Sequence, residues 1–260
     1  MFLPQLLSRA AKGEKLTMLT CYDASFARAL AENGVDCLLV GDSLGMTIQG
    51  HATTLPVTLE QMAYHTAAVA RGSAGKAFVL ADLPFGSYQK NPEQAFESAA
   101  RLMAAGANMV KLEGGAVMVD TVRFLAGRGI PVCGHLGLMP QSVNATGYRA
   151  QARESAAAAR LFQDAIDLEA AGAQMMLLES IPAVVAEEVT QRLAVPTIGI
   201  GAGAHCNGQV LVLQDLLGLT EKPPRFARDF MEGAWNIGAA VRNYVASVKS
   251  GEFPGPEHSF

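Results

Sequence analysis

Charged side chains stand at the ends of several apolar segments of this sequence. Acids follow "CLLVG", "FVLA", "MVKL" and "MMLL", a lysine lies inside the third of these segments, and a histidine ends "PVCG". The residues are Asp42, Asp82, Lys111, Glu113, His135 and Glu179. A single acid in such a place is ordinary, because an acid at the end of a strand can be solvated or can cap the helix that follows. Several carboxylates brought into one low-dielectric site would repel one another and need a counter-charge.

A divalent cation is the simplest counter-charge for such a group. The available ligands are carboxylate oxygens with one histidine nearby, and the cysteines form no C-x-x-C pair. Hard oxygen ligands favour Mg²⁺ or a similar ion over structural zinc. The set of residues therefore predicts metal-assisted chemistry, whereas no single motif in the chain does.

Lys111 and His135 each have more than one interpretation. Lys111 lies two residues before Glu113, so in a strand both side chains point the same way. It can form a Schiff base with a carbonyl substrate, anchor a substrate carboxylate, or make an ion pair. Neighbouring acids would raise its pKa, which favours the charged anchor. His135 can be a site residue or a packed histidine of the core.

The elements that carry these residues alternate along the chain. Strand-length apolar runs occur in "LTMLTCYD", "CLLVGDS", "FVLADLPF", "NMVKLEGG", "IPVCGHLGL", "QMMLLES", "VPTIGIGAG" and "GQVLVLQD". Helical patterns cover 58–71, 92–105, 116–127, 155–171 and 183–193. Continuous apolar strands alternating with helices predict a parallel sheet covered by helices. Eight strands in 260 residues indicate an α/β protein with the (β/α)8 TIM-barrel fold.

An open, doubly wound sheet is the rival fold. "GIGAGAHCNG" has the spacing G-x-G-x-G instead of the dinucleotide pattern G-x-G-x-x-G, and it occurs late in the chain. In a barrel, the carboxyl ends of the strands meet at one face, which holds the active site. We expect one barrel domain over 1–260, with 221–260 as a C-terminal helical tail in which 226–249 is helical. The tail can pack on its own barrel or on a neighbouring subunit.

Composition excludes several classes of protein. The net charge is −4 and no basic patch stands out, which argues against a nucleic-acid partner. No apolar run reaches the roughly 20 residues of a membrane span, and the N-terminus lacks the order of a signal peptide. The scattered Cys21, Cys37, Cys133 and Cys206 indicate reduced thiols. We therefore predict a soluble, cytoplasmic protein.

Longer stretches of the chain resemble one enzyme family. "GDSLGMTIQGHATTLPVT", "AYHTAAVARG", "ADLPFGSY", "ANMVKLEGG", "PVCGHLGLMPQSVN", "GAQMMLLES", "PTIGIGAG", "GQVLVLQDLLG" and "FPGPEHSF" occur in order over nearly the whole chain. Together they are similar to the ketopantoate hydroxymethyltransferase family of the phosphoenolpyruvate/pyruvate-binding barrel superfamily. This resemblance implies a (β/α)8 barrel and transfer of a hydroxymethyl group from methylene-tetrahydrofolate to α-ketoisovalerate. The product would be ketopantoate, made for pantothenate synthesis.

The resemblance also assigns roles to residues. It implies that Asp42, Asp82 and Glu113 belong to the metal site and that Glu179 is the catalytic base. Substrate contacts are implied for Asp42, Ser43, Asp82 and Lys111. The family also implies a homo-oligomer, commonly a decamer. A metal-dependent aldolase or lyase of the same superfamily and a non-catalytic keto-acid-binding barrel remain as alternative functions.

Overall fold

The computed structural model describes residues 1–260 and contains a closed barrel of eight parallel strands. Each strand pairs with the next in chain order, and the last pairs with the first. The strands are β1 (Leu16–Thr20), β2 (Cys37–Val40), β3 (Phe78–Asp82), β4 (Met109–Glu113), β5 (Val132–Gly137), β6 (Met175–Glu179), β7 (Thr197–Ile200) and β8 (Gly208–Leu211). The predicted TIM barrel is confirmed, and the open-sheet alternative is wrong.

The helices surround the barrel. They are α1 (Leu3–Ala11), α2 (Ala24–Glu32), α3 (Leu44–Thr47), α4 (Leu59–Ser73), α5 (Pro92–Ala104), α6 (Val119–Ala126), α7 (Val143–Thr146), α8 (Ser155–Ala170), α9 (Ala183–Arg192), α10 (Leu213–Leu216) and α11 (Ile237–Ser250). The five predicted helices correspond to α4, α5, α6, α8 and α9, with ends within three residues of those predicted. None of the helices is both long and apolar enough to cross a bilayer.

The strands are apolar throughout because both of their faces are covered. A cluster of 53 buried residues lies between the strands and the outer helices, and a second cluster of 15 fills the barrel itself. Leu6 and Ala10 of α1 belong to this inner cluster and pack with Leu16 and Met18 of β1. The sequence did not predict α1, which closes the amino-terminal end of the barrel. The carboxyl end is therefore the one that can hold a site.

The C-terminal extension differs from the prediction in where its helix begins. Helix α11 starts after Asn236, whose side chain accepts a hydrogen bond from the Ala239 amide at 2.8 Å. The prediction of helix from 226 is wrong because Asp229 accepts from the Met231 amide at 2.7 Å, which makes a turn, and Gly233 has a positive φ of 75°. The buried Tyr244 hydroxyl lies 3.0 Å from the Met18 carbonyl of β1 and 2.9 Å from the Gln209 carbonyl of β8 and can donate to either, so α11 packs on its own barrel.

The four cysteines are free, as the sequence predicted, and all four are buried.

Candidate active site

The carboxyl end of the barrel opens into a cavity of about 980 Å³. Its deep wall contains all six of the charged residues that the sequence placed at strand ends: Asp42, Asp82, Lys111, Glu113, His135 and Glu179. Strand register explains the grouping, since Asp82 lies beside Lys111, Glu113 beside His135, and Gly137 beside Glu179. The predicted convergence is thus observed in the structure.

Lys111 occupies the centre of this group. Its Nζ lies 3.2 Å from Asp82 Oδ1 and 4.0 Å from Glu113 Oε1, and its side chain is only 4% exposed. Burial works against the charge, but Asp82, Glu113 and Asp42 together outweigh it and raise the pKa of the Lys111 ammonium. The lysine is therefore a cation at neutral pH, and a Schiff base would need it to lose a strongly held proton.

Asp42 and Asp82 meet at the ends of β2 and β3. The Asp42 amide donates to Asp82 Oδ2 at 3.1 Å, and both residues are buried. Burial first, and the Asp82 carboxylate second, raise the pKa of Asp42 to about 7. Burial likewise raises the pKa of Glu113 well above its usual range. The site therefore holds more acidic side chains than its own lysine can neutralise.

Gln141 is a site residue that the sequence analysis missed. Its Nε2 donates to Asp42 Oδ2 at 2.8 Å and to the Leu83 carbonyl at 2.9 Å, while its amide donates to Glu113 Oε2 at 3.0 Å. The buried Tyr88 hydroxyl donates to Gln141 Oε1 at 2.7 Å. These bonds orient both carboxylates. Gln141 lies in the loop "LGLMPQSVN" after β5, and only its position in space marks it as important.

His135 lies between Lys111 and Glu179. Its Nδ1 is 3.1 Å from Lys111 Nζ, and because an ammonium can only donate, Nδ1 must be the acceptor. The ring hydrogen is then on Nε2, which faces Glu179 Oε2 at 3.3 Å. Burial, followed by the Lys111 charge, lowers the pKa of His135 well below its usual value, so the ring is neutral. His135 is therefore part of the site and not only a packing residue.

Glu179 stands apart from the other acids. Its side chain is 15% exposed, the most open of those in contact with His135, and burial raises its pKa to about 7 against a smaller opposing effect of Lys111. Its carbonyl accepts from the Leu138 amide at 2.9 Å, and Ser180 follows with a positive φ of 49°. The backbone on both sides of this carboxylate is therefore held by neighbouring segments, which keeps the carboxylate in place.

Ser43 lies at the mouth side of the same group. Its hydroxyl is 2.8 Å from the Tyr22 hydroxyl, and Ser43 lines the cavity. Burial raises the pKa of Tyr22 to about 12, so the phenol stays protonated and can share its hydrogen bond with Ser43. The segment after Asp42 contributes Met46, Thr47 and His51 to the lining.

The donor set fits a hard divalent cation. Glu113 Oε1 is buried and accepts no hydrogen bond, although carboxylate oxygens normally find partners, and Asp82 Oδ1 has only the Lys111 ammonium, 3.2 Å away, as a neighbouring partner. No three Asp, Glu, His or Cys side chains form a ready-made metal cluster. A pair of carboxylates is nevertheless enough for Mg²⁺, which keeps several waters and takes further oxygens from its substrate.

Comparisons with known proteins agree with this geometry. The family model for ketopantoate hydroxymethyltransferase matches residues 1–256. A 3-methyl-2-oxobutanoate hydroxymethyltransferase of Thiobacillus denitrificans is 65% identical over 250 residues, covering 96% of this chain and 95% of that protein. The enzyme of the same name from Azoarcus sp. is 62% identical, covering 96% and 93%.

Solved structures share the fold at low sequence identity. Phosphoenolpyruvate phosphomutase from Streptomyces platensis superposes with a TM-score of 0.64 at 16% identity, covering 84% of this chain and 83% of that one. A phosphonopyruvate hydrolase superposes with a TM-score of 0.63 at 13% identity, covering 82% and 81%. Both likenesses concern the barrel and not its chemistry.

Proposed function

This chain belongs to the ketopantoate hydroxymethyltransferase family and is a hydroxymethyltransferase that makes ketopantoate, and on that premise we propose how its cavity performs the transfer. α-Ketoisovalerate would bind among the six residues at the strand ends, and methylene-tetrahydrofolate would supply the one-carbon unit. The observation that carries the proposal is the separation of charge in the cavity. Lys111 is paired with Asp82 on one side, while Glu179 stands alone beyond His135 on the other.

Asp42 and Asp82 are the proposed ligands of a divalent cation such as Mg²⁺. They are adjacent, since the Asp42 amide donates to Asp82 Oδ2, and the nearby Glu113 Oε1 accepts no hydrogen bond. Glu113 adds negative charge next to them and is oriented by the Gln141 amide. A bound cation would supply Lewis-acid polarisation of the keto acid, which makes the neighbouring C–H more acidic.

Lys111 and Ser43 are the proposed anchors of the substrate. The Lys111 ammonium is held by Asp82 and faces the cavity, so it can attract the carboxylate of the keto acid. The Ser43 hydroxyl, supported by Tyr22, can donate a hydrogen bond to the same group. Placing the substrate carboxylate here would direct the C–H bond next to its ketone towards Glu179.

Glu179 is the proposed general base. Burial raises its pKa to about 7, which makes it a stronger base than an ordinary carboxylate once it is ionised. Nε2 of the neutral His135 ring lies 3.3 Å from Glu179 Oε2 without making a hydrogen bond to it, so the imidazole borders one side of the carboxylate. After proton removal, the nucleophilic carbon of the keto acid would form a bond with the methylene carbon. The bonds from that carbon to the folate nitrogens would break, and water would supply the hydroxyl, so that the products are ketopantoate and tetrahydrofolate.

One assay tests the proposal directly. Purified protein is incubated with α-ketoisovalerate and methylene-tetrahydrofolate, and ketopantoate is measured with Mg²⁺, after EDTA treatment, and after Mg²⁺ is restored. We expect formation of ketopantoate that EDTA abolishes and Mg²⁺ restores, because the paired carboxylates need a cation to be used productively.

Two results would contradict it. Full activity after exhaustive EDTA treatment would show that the reaction needs no metal ion. Cleavage of oxaloacetate-like acids without folate, in place of ketopantoate formation, would point to a lyase of the same superfamily.

We also propose that the chain assembles as a homodecamer in the cytoplasm, as the family resemblance implies. Light scattering should then give a mass of ten 27.3 kDa chains, and a monomeric mass at micromolar concentration would contradict it. The exposed apolar side chains of Tyr64, Val117 and Trp235, each more than two-thirds exposed in the single chain, are in keeping with buried contacts between subunits.

A further inference from the structure

A second cavity of about 670 Å³ adjoins the mouth of the first. The two share Arg149, Ala150 and Phe260, so they are continuous along one wall. The second cavity lies between the segment that precedes α8 and the C-terminal extension, which contributes Arg225. None of its residues belongs to the acidic group described above.

The second cavity is lined by three arginines: Arg149, Arg153 and Arg225. None of the three forms an ion pair with a carboxylate. Arg149 and Arg225 donate only to main-chain carbonyls, those of Thr146 at 3.4 Å and Glu257 at 3.0 Å. Glu154 is the only acidic side chain in the lining, so the cavity has an excess of positive charge.

The start of α8 adds to this positive character. The helix has 16 residues, and its N-cap residue Glu154 makes no side-chain hydrogen bond to the first turn. Free amide groups at a helix start carry partial positive charge and favour anions. The arginines and the helix start thus favour the same kind of ligand, a group with one or more carboxylates.

An apolar stretch separates the arginines from the acidic group. The lining of the main cavity also includes Met46, Tyr148, Leu219, Phe226 and Phe260, of which Tyr148 and Leu219 are more than half exposed and so lie towards its mouth. A small keto acid at the deep end would leave most of this cavity of about 980 Å³ unfilled. From the bottom outwards, the surface therefore changes from ionic to apolar and aromatic, and then to cationic.

We propose that the arginine-lined cavity binds the glutamate tail of the folate co-substrate, an inference that rests on the proposed use of methylene-tetrahydrofolate. The order of surfaces matches the order of groups in that molecule. Its one-carbon unit must reach the deep end, its flat pterin and aminobenzoyl rings suit the apolar wall, and its glutamate carboxylates suit the arginines. Guanidinium groups pair with carboxylates through two parallel hydrogen bonds, which gives direction as well as attraction.

The test compares folates with and without the tail. KM is measured for methylene-tetrahydrofolate carrying one and three glutamates, and for methylene-tetrahydropteroate, which has none. The proteins are the wild type, R149A, R153A, R225A, the triple variant, and R192A as a control on the outer helix α9. For the glutamylated folates, we expect each single substitution to raise KM by up to roughly five-fold, the size of an exposed ion pair, and the triple variant to raise it further.

The same substitutions should leave KM for methylene-tetrahydropteroate unchanged, because that molecule has no carboxylate for the arginines. R192A should behave as wild type with all three folates. The proposal would be overturned if the arginine variants raised KM equally for folates with and without the tail, or raised it for neither.

A folate-independent reaction separates this inference from the function on which it rests. Exchange of the α-ketoisovalerate C–H in D₂O needs only the deep site, so the arginine variants should exchange at the wild-type rate. Slower exchange would show that the arginines act on the deep site and would overturn the tail assignment. If the wild-type protein exchanges this proton but makes no ketopantoate from any folate, methylene-tetrahydrofolate is not the one-carbon donor. That result would contradict the proposed function and not only the role of the arginines.

Discussion

Replacing Glu179 with glutamine is expected to lower the rate of ketopantoate formation by about 10²–10⁴-fold, the usual contribution of a general base. Glutamine has nearly the same shape and can still approach His135 Nε2, which lies 3.3 Å from Glu179 Oε2, but it cannot take a proton. The direct measurement is exchange of the α-ketoisovalerate C–H in D₂O, followed by NMR. Exchange should fall with the overall rate, whereas binding of metal and keto acid should persist.

E188Q is the matched control, because Glu188 lies exposed on α9 and makes no contact with the site. It should exchange and turn over as wild type does. Normal proton exchange in E179Q would remove Glu179 as the base, even if ketopantoate formation were slow.

The stability of E179Q distinguishes lost chemistry from lost folding. The folded pKa of Glu179 is about 7, above the 4.5 of an ordinary glutamate, so the folded state holds this proton more tightly than the unfolded state does. Protonated Glu179 therefore contributes to the free energy of unfolding. This contribution is fully present below pH 4.5 and is lost as the pH rises through 7. Glutamine removes the titration, so metal-free E179Q should equal wild type near pH 4.5 and exceed it at pH 8, by on the order of 3 kcal/mol. Denaturant unfolding at both pH values checks this.

Replacing Lys111 with methionine has the second large expected effect. The ammonium is 3.2 Å from Asp82 and 4.0 Å from Glu113, and all three side chains are at most 4% exposed. Methionine would leave buried carboxylates without their cation, and breaking a buried pair in this way costs about 3–5 kcal/mol. We expect denaturant unfolding of K111M in EDTA to show a loss of that order. We also expect calorimetry with Mg²⁺ present to show no binding of α-ketoisovalerate, because the anchor of its carboxylate is gone.

A double variant tests the cause of that instability. K111M/D82N removes one of the unpaired charges, so it should recover part of the lost stability while remaining inactive. K76M is the control, since Lys76 is 56% exposed and its pair with Glu32 spans 3.3 Å; it should change stability by less than about 1 kcal/mol. Wild-type stability and keto-acid binding in K111M would show that Lys111 is neither the counter-charge nor the anchor.

The barrel and the core of its site were predictable because both depend on local patterns. Apolar runs such as "QMMLLES" and the helices between them repeat with the period of a β/α unit, and parallel strands must end at the same face. Asp82, Glu113 and Glu179 end three of these strands and Asp42 follows the end of a fourth, so their convergence follows once the barrel closes. The start of α11 was predicted less well, because the turn at Asp229 and the positive φ of Gly233 interrupt a pattern that looks helical.

The sequence by itself determined the fold, the charged residues that meet at the carboxyl end of the barrel and, through family resemblance, the reaction. Only the tertiary structure decided which members touch: that Lys111 pairs with Asp82, that His135 stands between Lys111 and Glu179, and that Gln141 bonds to Asp42 across 99 residues of chain. The tertiary structure also brought Arg149, Arg153 and Arg225 to one cavity. The physical reason is that a pattern along the chain encodes which face a side chain takes, whereas contacts between distant residues depend on strand register and on the paths of loops.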